Sequence, residues 1–428
     1  MKVIVPYLLI FALSFGQYSL AQTVQTTGPL NKLRTWHQSQ MLQNGHVLAF
    51  GGQNNGVLGS AELYDPATEM WTQATEMLQP RTQFTSVVLD DGRVMAIGGS
   101  NGTAETNTCE IYDPSTNSWS FTDTLAVNTS FASSVKLPDG RVMMTYQTTC
   151  QIYNPDSAKW FSAPSPSANR KRLFLLSNGK VLHLGISTNA EVYDPASNTW
   201  AAVSNDLSGS TTGADGVSTM GDGRVLINGG FKAADIYDPA SNSFSSATDM
   251  LIGIPLGSSI GMTNGNVLVF GPSSATNGSD TKSIQVYNPI DNQWFSDVYG
   301  FYGPARSNLH ILQNGKVLSV GGSARLGGLA DDCYLIDPSV AAVSVDDLLE
   351  SISLKMYPNP AREQLHIELG EWVAGDILLR DLRGRTVLTQ KLGALQTQMT
   401  VSHLPKGVYM LSLRTEAGLS HSQKLVIE

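Results

Sequence analysis

The sequence predicts an all-β protein, a seven-bladed β-propeller followed by a small immunoglobulin-like β-sandwich. One phrase recurs seven times with a period of 39 to 50 residues, anchored on Gly45, Gly92, Gly140, Gly179, Gly223, Gly265 and Gly315. A second landmark follows in register: Tyr64-Asp65-Pro66, Tyr112-Asp113-Pro114, Tyr153-Asn154-Pro155, Tyr193-Asp194-Pro195, Tyr237-Asp238-Pro239, Tyr287-Asn288-Pro289 and Ile336-Asp337-Pro338. Beyond Val340 the phrase stops and short alternating segments replace it. Periods of this size mark solenoids or propellers, and a content of strands and tight turns selects the propeller.

The elements follow in chain order. Lys2, an apolar run from Val3 to about Phe15, and the small residues Ser19 and Ala21 form a secretory signal over 1–21, cut after Ala21. From residue 22 to 340 each unit reads strand, Asn-Gly or Asp-Gly turn, strand ending Gly-Gly, loop, strand, Pro-led turn, aromatic strand. Asn and Asp tolerate the positive φ of a tight hairpin, and Asp or Asn before Pro is turn chemistry. Six units end on an aromatic residue, Trp71, Trp119, Trp160, Trp200, Phe244 and Trp294, whereas the seventh stops near Pro338. The segment Thr23 to Leu30 is therefore expected to supply its outer strand. Residues 341–352 form an acidic linker, and 353–428 alternate with period two around Gly and Pro, as in a small antiparallel sandwich.

The Gly-Gly doublet with spaced Tyr and Trp resembles the kelch-repeat family, and the Asp-Gly-Arg-Val form is similar to the galactose oxidase propeller. Two units depart from it, with Tyr146-Gln147 and Gly271-Pro272 in place of the doublet. The C-terminal segment resembles the type A sorting domain of the type IX secretion system. That likeness rests on Tyr357-Pro358-Asn359-Pro360-Ala361, Asp381 with Gly384-Arg385-Thr386-Val387, Gly407-Val408-Tyr409, and Lys424-Leu425-Val426-Ile427. It implies delivery to the outer-membrane surface or the exterior of a Gram-negative bacterium, the secretion machinery as a partner, and removal of the domain with anchoring to surface lipopolysaccharide in many members.

Composition narrows the functions. The net charge of −9 lacks the basic footprint that nucleic-acid binding requires. Cys109, Cys150 and Cys333 occupy the same place in three units, too far apart for a bridge and suited to small buried hydrophobes.

Binding residues are sought on the face that carries the loops between second and third strands. Those loops, counted from the second glycine position to the polar residue of strand three, run 10, 11, 4, 5, 5, 13 and 12 residues. Long loops thus fall in blades six, seven, one and two, and predict a raised half-rim. The candidate ligand-binding residues are Asn54, Asn101 and Arg325 in the loops, with Arg34, Trp36, His37, Arg81, Tyr302 and Arg306 on the approaches to the inner strands. Amides, an aromatic ring and a few charges suit sugar recognition. Arg34 and Arg81 have a packing alternative, because both stand eleven positions before a turn glycine.

No catalytic residue, metal ligand or cofactor is assigned. His37 and His310 lie eight and five residues before their turn glycines, an odd offset that sends them to opposite faces of a regular strand. The reading is a binding or adhesion module for a glycan or a protein. The alternatives are a carbohydrate-active enzyme, sialic-acid mutarotase-like or galactose-oxidase-like, on the same face, and a structural spacer.

Overall fold

The computed structural model describes residues 24–167, 170–185, 189–208, 216–229, 232–272, 284–295, 304–323, 329–330, 332–337, 354–369, 375–381, 386–391, 396–415 and 420–428. The signal segment and the linker lie outside them. The chain parts into two compact units, Met1–Ala341 and Ala342–Glu428.

The first unit is a ring of seven four-stranded antiparallel sheets. Blade 1 runs Gln38–Met41, Val47–Phe50, Ala61–Asp65 and Met70–Ala74 from the centre outward, and the next five blades repeat that order. Blade 7 takes its inner three strands from Asn308–Ile311, Val317–Val320 and Cys333–Ile336, and its outer strand is Val24–Thr27, paired Val24 to Ile336 and Thr27 to Cys333. The N-terminal strand thus closes the ring, as the missing aromatic strand requires. Inner strands of six neighbouring pairs of blades touch, including those of blades 7 and 1.

Second strands are buried on both faces, as in Val47–Phe50, because each blade is stacked between two others. Tyr and the final aromatic residue of a blade are direct cross-strand partners, such as Tyr64 with Trp71, and their rings lie 5.0–5.3 Å apart in six blades. Tilted pairs of this kind add about 0.5–1.5 kcal/mol beyond their buried area. The Pro-led turn needs one left-handed residue, and in four blades it is Asn: Asn117, Asn198, Asn242 and Asn292. Each also accepts a hydrogen bond from its blade's Tyr hydroxyl at 2.7–3.0 Å. One residue type therefore satisfies both the turn and the buried phenol.

The Gly-Gly doublet has a steric cause. A Cβ on Gly52 or Gly99 would lie 2.7 Å from the carbonyl oxygen of Thr35 or Thr82, where the chain approaching the inner strand crosses. The three cysteines are buried and unbridged, and burial pushes their thiols up to about 12.

The second unit is a sandwich. One sheet orders Leu354–Tyr357, Gln364–Leu369 and Gln396–Thr400, and the other orders Thr386–Lys391, Gly375–Asp381, Gly407–Thr415 and Ser420–Ile427. Leu365, Ile367 and Met399 of the first sheet meet Ile377, Leu379, Leu411 and Leu425 of the second in one core.

Candidate functional site

Each inner strand is approached by a short segment that must turn into the central channel. Nine residues before the turn glycine, that segment takes a left-handed backbone: Trp36 (φ 55°), Gln83 (φ 56°), Phe131 (φ 54°), Leu256 (φ 57°) and Arg306 (φ 56°) in blades 1, 2, 3, 6 and 7. Left-handed φ in bulky residues costs of the order of 1 kcal/mol each, and Asn or Gly would remove that cost. Backbone hydrogen bonds hold the geometry from blade to blade: Gln83 N–H to the Trp36 carbonyl at 3.3 Å, Phe131 N–H to the Gln83 carbonyl at 2.7 Å, and Arg306 N–H to the Leu256 carbonyl at 2.8 Å.

These five side chains converge on a cavity of about 600 Å³ at the channel mouth, with Arg172 of blade 4 completing the wall among the described residues. The edge of Phe131 meets Trp36 at 4.9 Å between centroids, at 83°. The Arg306 guanidinium lies over the Trp36 ring, 4.0 Å from its centroid, in cation–π geometry. Polar side chains also stitch the inner strands together: Ser39 to His310 at 2.7 Å, Thr85 to Ser134 at 2.7 Å, and Ser218 to Ser259 at 2.8 Å.

The sequence candidates divide three ways. Trp36, His37 and Arg306 line the cavity. Tyr302 and Arg325 lie outside the described residues. Arg34, Arg81, Asn54 and Asn101 do not belong to the described wall.

Arg34 and Arg81 are wholly buried packing residues, and the ligand role expected for them is withdrawn. Two positions upstream of the left-handed residue, the guanidinium points into its own blade. Arg34 donates to the Gly51 and Ser60 carbonyls, both at 2.9 Å, and pairs with Glu62 at 2.6 Å. Arg81 repeats the arrangement with Gly98, Thr108 and Glu110, the carboxylate at 2.5 Å. Burial pulls the Arg34 guanidinium below its ordinary value, and Glu62 pulls it back up. Asn101 is exposed, and its Oδ1 accepts from the Thr103 and Ala104 amides of its own loop, both at 3.0 Å. Asn54 sits out in the loop of blade 1, away from the cavity.

Gln83, Phe131, Leu256 and Arg172 were not singled out from the sequence. The signal for three of them was present, because the register nine before the turn glycine is as regular as the one eleven before it.

His37 is buried and its ring nitrogens have no hydrogen-bond partner of normal geometry. Burial, helped by the charge on Arg34 and by His310, pushes it down to about 3, and the backbone of Val320 and Arg34 counters this weakly. Burial pushes His310 down to about 4.

In the second unit the Pro-Asn-Pro motif clamps the last strand. Asn359 donates through Nδ2 to the Lys424 carbonyl at 3.0 Å and accepts from the Val426 amide at 2.9 Å, while the Ala361 amide donates to the Val426 carbonyl at 2.8 Å. Tyr357 stacks on His366 with ring centroids 5.3 Å apart. Tyr409 is buried beside Gly407 and donates to the Pro405 carbonyl at 2.7 Å. Pro358, Pro360 and Lys424 are exposed, and Gly384 and Arg385 lie outside the described residues.

The fold and this mouth define a kelch-type propeller. Residues 42–78 and 81–124 match the Kelch motif, and residues 355–428 match the secretion system C-terminal sorting domain. The chain therefore carries kelch repeats joined to a type IX sorting domain, which marks a secreted or cell-surface protein of Bacteroidetes-type bacteria. Kelch-like protein 7 of Rattus norvegicus is 48% identical over 46 residues, 11% of this chain and 8% of that protein. The influenza virus NS1A-binding protein homolog of Mus musculus is 39% identical over 67 residues, 15% of this chain and 10% of that one. The chain thus spans about a tenth or less of the curated relatives it matches. Among solved structures, a fungal alcohol oxidase of the AA5 family in complex with copper superposes with TM-score 0.60 at 15% identity, covering 95% of this chain and 99% of that one.

That likeness is one of fold, and the copper chemistry was tested against the residues here. Among the described residues no group of three His, Cys, Asp or Glu side chains stands close enough to hold a metal ion. His310 is bonded to Ser39, and the cysteines stand in third strands, outside the cavity wall. The described donor set does not fit copper.

Proposed function

We propose that this protein is a carbohydrate-binding propeller, exported through the type IX route, that takes its ligand at the channel mouth. The observation behind the proposal is the left-handed series. Five blades place strained, bulky side chains where Asn or Gly would relieve the backbone, and four of the five are Trp, Phe, Leu and Arg. Left-handed residues also occupy the outer turns, but these five all line one cavity, and backbone strain at a shared cavity is a mark of a functional site. A mouth of about 600 Å³ falls within the usual range of small-ligand pockets, about 300–1,000 Å³. The Phe131 ring, with polar groups beside it, suits a pyranose, which offers an apolar face and directed hydroxyls.

Residues 1–21 would direct export across the inner membrane. The domain over 353–428 would then engage the secretion machinery and leave the propeller released or anchored to lipopolysaccharide. The test is a glycan array probed with the full chain and with Trp36→Ala and Phe131→Ala variants of unchanged circular dichroism. Binding that is lost in both variants supports the reading; absence of binding by the native chain turns it toward a protein partner or a spacer.

A further inference from the structure

The cavity wall mixes apolar and polar groups. Phe84, Phe131 and Leu256 of blades 2, 3 and 6 stand beside Gln83, Thr85, Ser133 and Ser258, and blades 7 and 1 add Arg306, Ser307, Asn308, Trp36 and His37. Ser307 Oγ, Asn308 Nδ2 and the His37 ring nitrogens are enclosed behind that wall, whereas Arg306 is exposed and is a polar group the mouth does offer.

Charge narrows the ligand further. Arg172 and Arg306 are the charged residues among the described lining, which holds no Asp or Glu, in a chain whose net charge is −9. Trp36 is not a free stacking platform, since Arg306 lies on its ring. The indole instead acts as a plate that fixes the plane of the guanidinium. A guanidinium held in this way presents a fork of N–H donors matched to two oxygens of one anionic group.

We propose that the channel mouth is selective for an anionic sugar, bound with its acidic group on Arg306. Its apolar ring face rests against Phe131. Trp36 is then a positioning residue, and Arg306 the residue that touches the ligand. This inference rests on the carbohydrate reading above and goes beyond it by naming the class. A carboxylate and a sulfate ester share the chemistry that Arg306 recognises.

The experiment is isothermal titration of the full chain with three matched oligosaccharide sets: neutral, uronate-bearing and sulfated. The expected result is binding of an acidic set at least about tenfold tighter than the neutral one, the difference expected for a charge-assisted hydrogen bond. The uronate and sulfated arms tell the two anions apart. Arg306→Gln should lose that preference while keeping weak neutral binding, and its backbone is tolerated because Gln83 holds the same left-handed position in blade 2. Trp36→Phe should weaken acidic binding less than Arg306→Gln does. Equal affinity for neutral and acidic sugars overturns the inference and leaves the carbohydrate reading standing. An acidic preference that survives in Arg306→Gln also overturns it, and failure of all three sets to bind overturns both.

Discussion

Arg81→Thr should destabilise the propeller strongly, and adding Glu110→Gln should restore most of the loss. Both side chains are fully buried, and the ion pair is 2.5 Å long. Without Arg81, Glu110 keeps only the Leu78 and Gln79 amides, at 2.7 and 3.0 Å, and the Gly98 and Thr108 carbonyls lose a donor. Breaking a buried pair by removing one partner costs about 3–5 kcal/mol, because the other charge is left uncompensated. Blade 3 shows the neutral solution within the same molecule: Thr129 stands where Arg81 does, and Gln151 takes the carboxylate's place, accepting from the Ala126 amide at 3.1 Å. The double variant copies that blade, so its cost should fall to about 1–2 kcal/mol, a coupling of at least about 2 kcal/mol between neighbours. Thermal unfolding of the full chain followed by tryptophan fluorescence reads the difference, at about 2 °C per kcal/mol for a domain of this size. A single variant within about 1 °C of native, or a double variant no better than the single, would refute the account of the buried pair.

Three further outcomes follow from the same structure. His37 and His310, held at about 3 and about 4, bind protons more weakly folded than unfolded. Their contribution is therefore complete above about pH 6.5 and declines as pH falls toward 4 and 3, by up to about 1.4 kcal/mol per unit per group. Melting temperatures at pH 7, 5.5 and 4.5 should fall accordingly, His310→Gln should flatten the slope, and a flat native profile would contradict the burial of these rings. The three thiols, pushed up to about 12, should be unreactive toward a disulfide reagent in the native state and titrate as three in denaturant; rapid native labelling would show that the third strands open. Asn359→Ala removes two hydrogen bonds to the last strand and should cost about 1–2 kcal/mol locally. Hydrogen exchange at the Val426 amide should accelerate about tenfold, and unchanged protection would mean that the clamp is dispensable.

Much of the fold was legible because its determinants are local and repeated. Tight turns, the Asp-Pro landmark and the final aromatic residue each act within a few positions of the chain, and seven copies in register multiply a weak signal. Closure of the ring by Val24–Thr27 could be inferred from a missing strand, since an open edge in blade 7 would leave a row of unpaired amides. The candidate site was legible only in part. Trp36, His37 and Arg306 line the cavity, yet from the sequence Arg34 and Arg81 looked equally suitable. Two residues of separation, across one left-handed backbone position, decide whether an arginine faces Glu62 in the blade or the open channel. The sequence by itself determined the number of blades, the aromatic core and the sorting domain, because short-range chemistry specifies all three. Only the tertiary structure decided which side chains share the channel mouth, because that cavity joins residues from six blades that meet nowhere in the chain order.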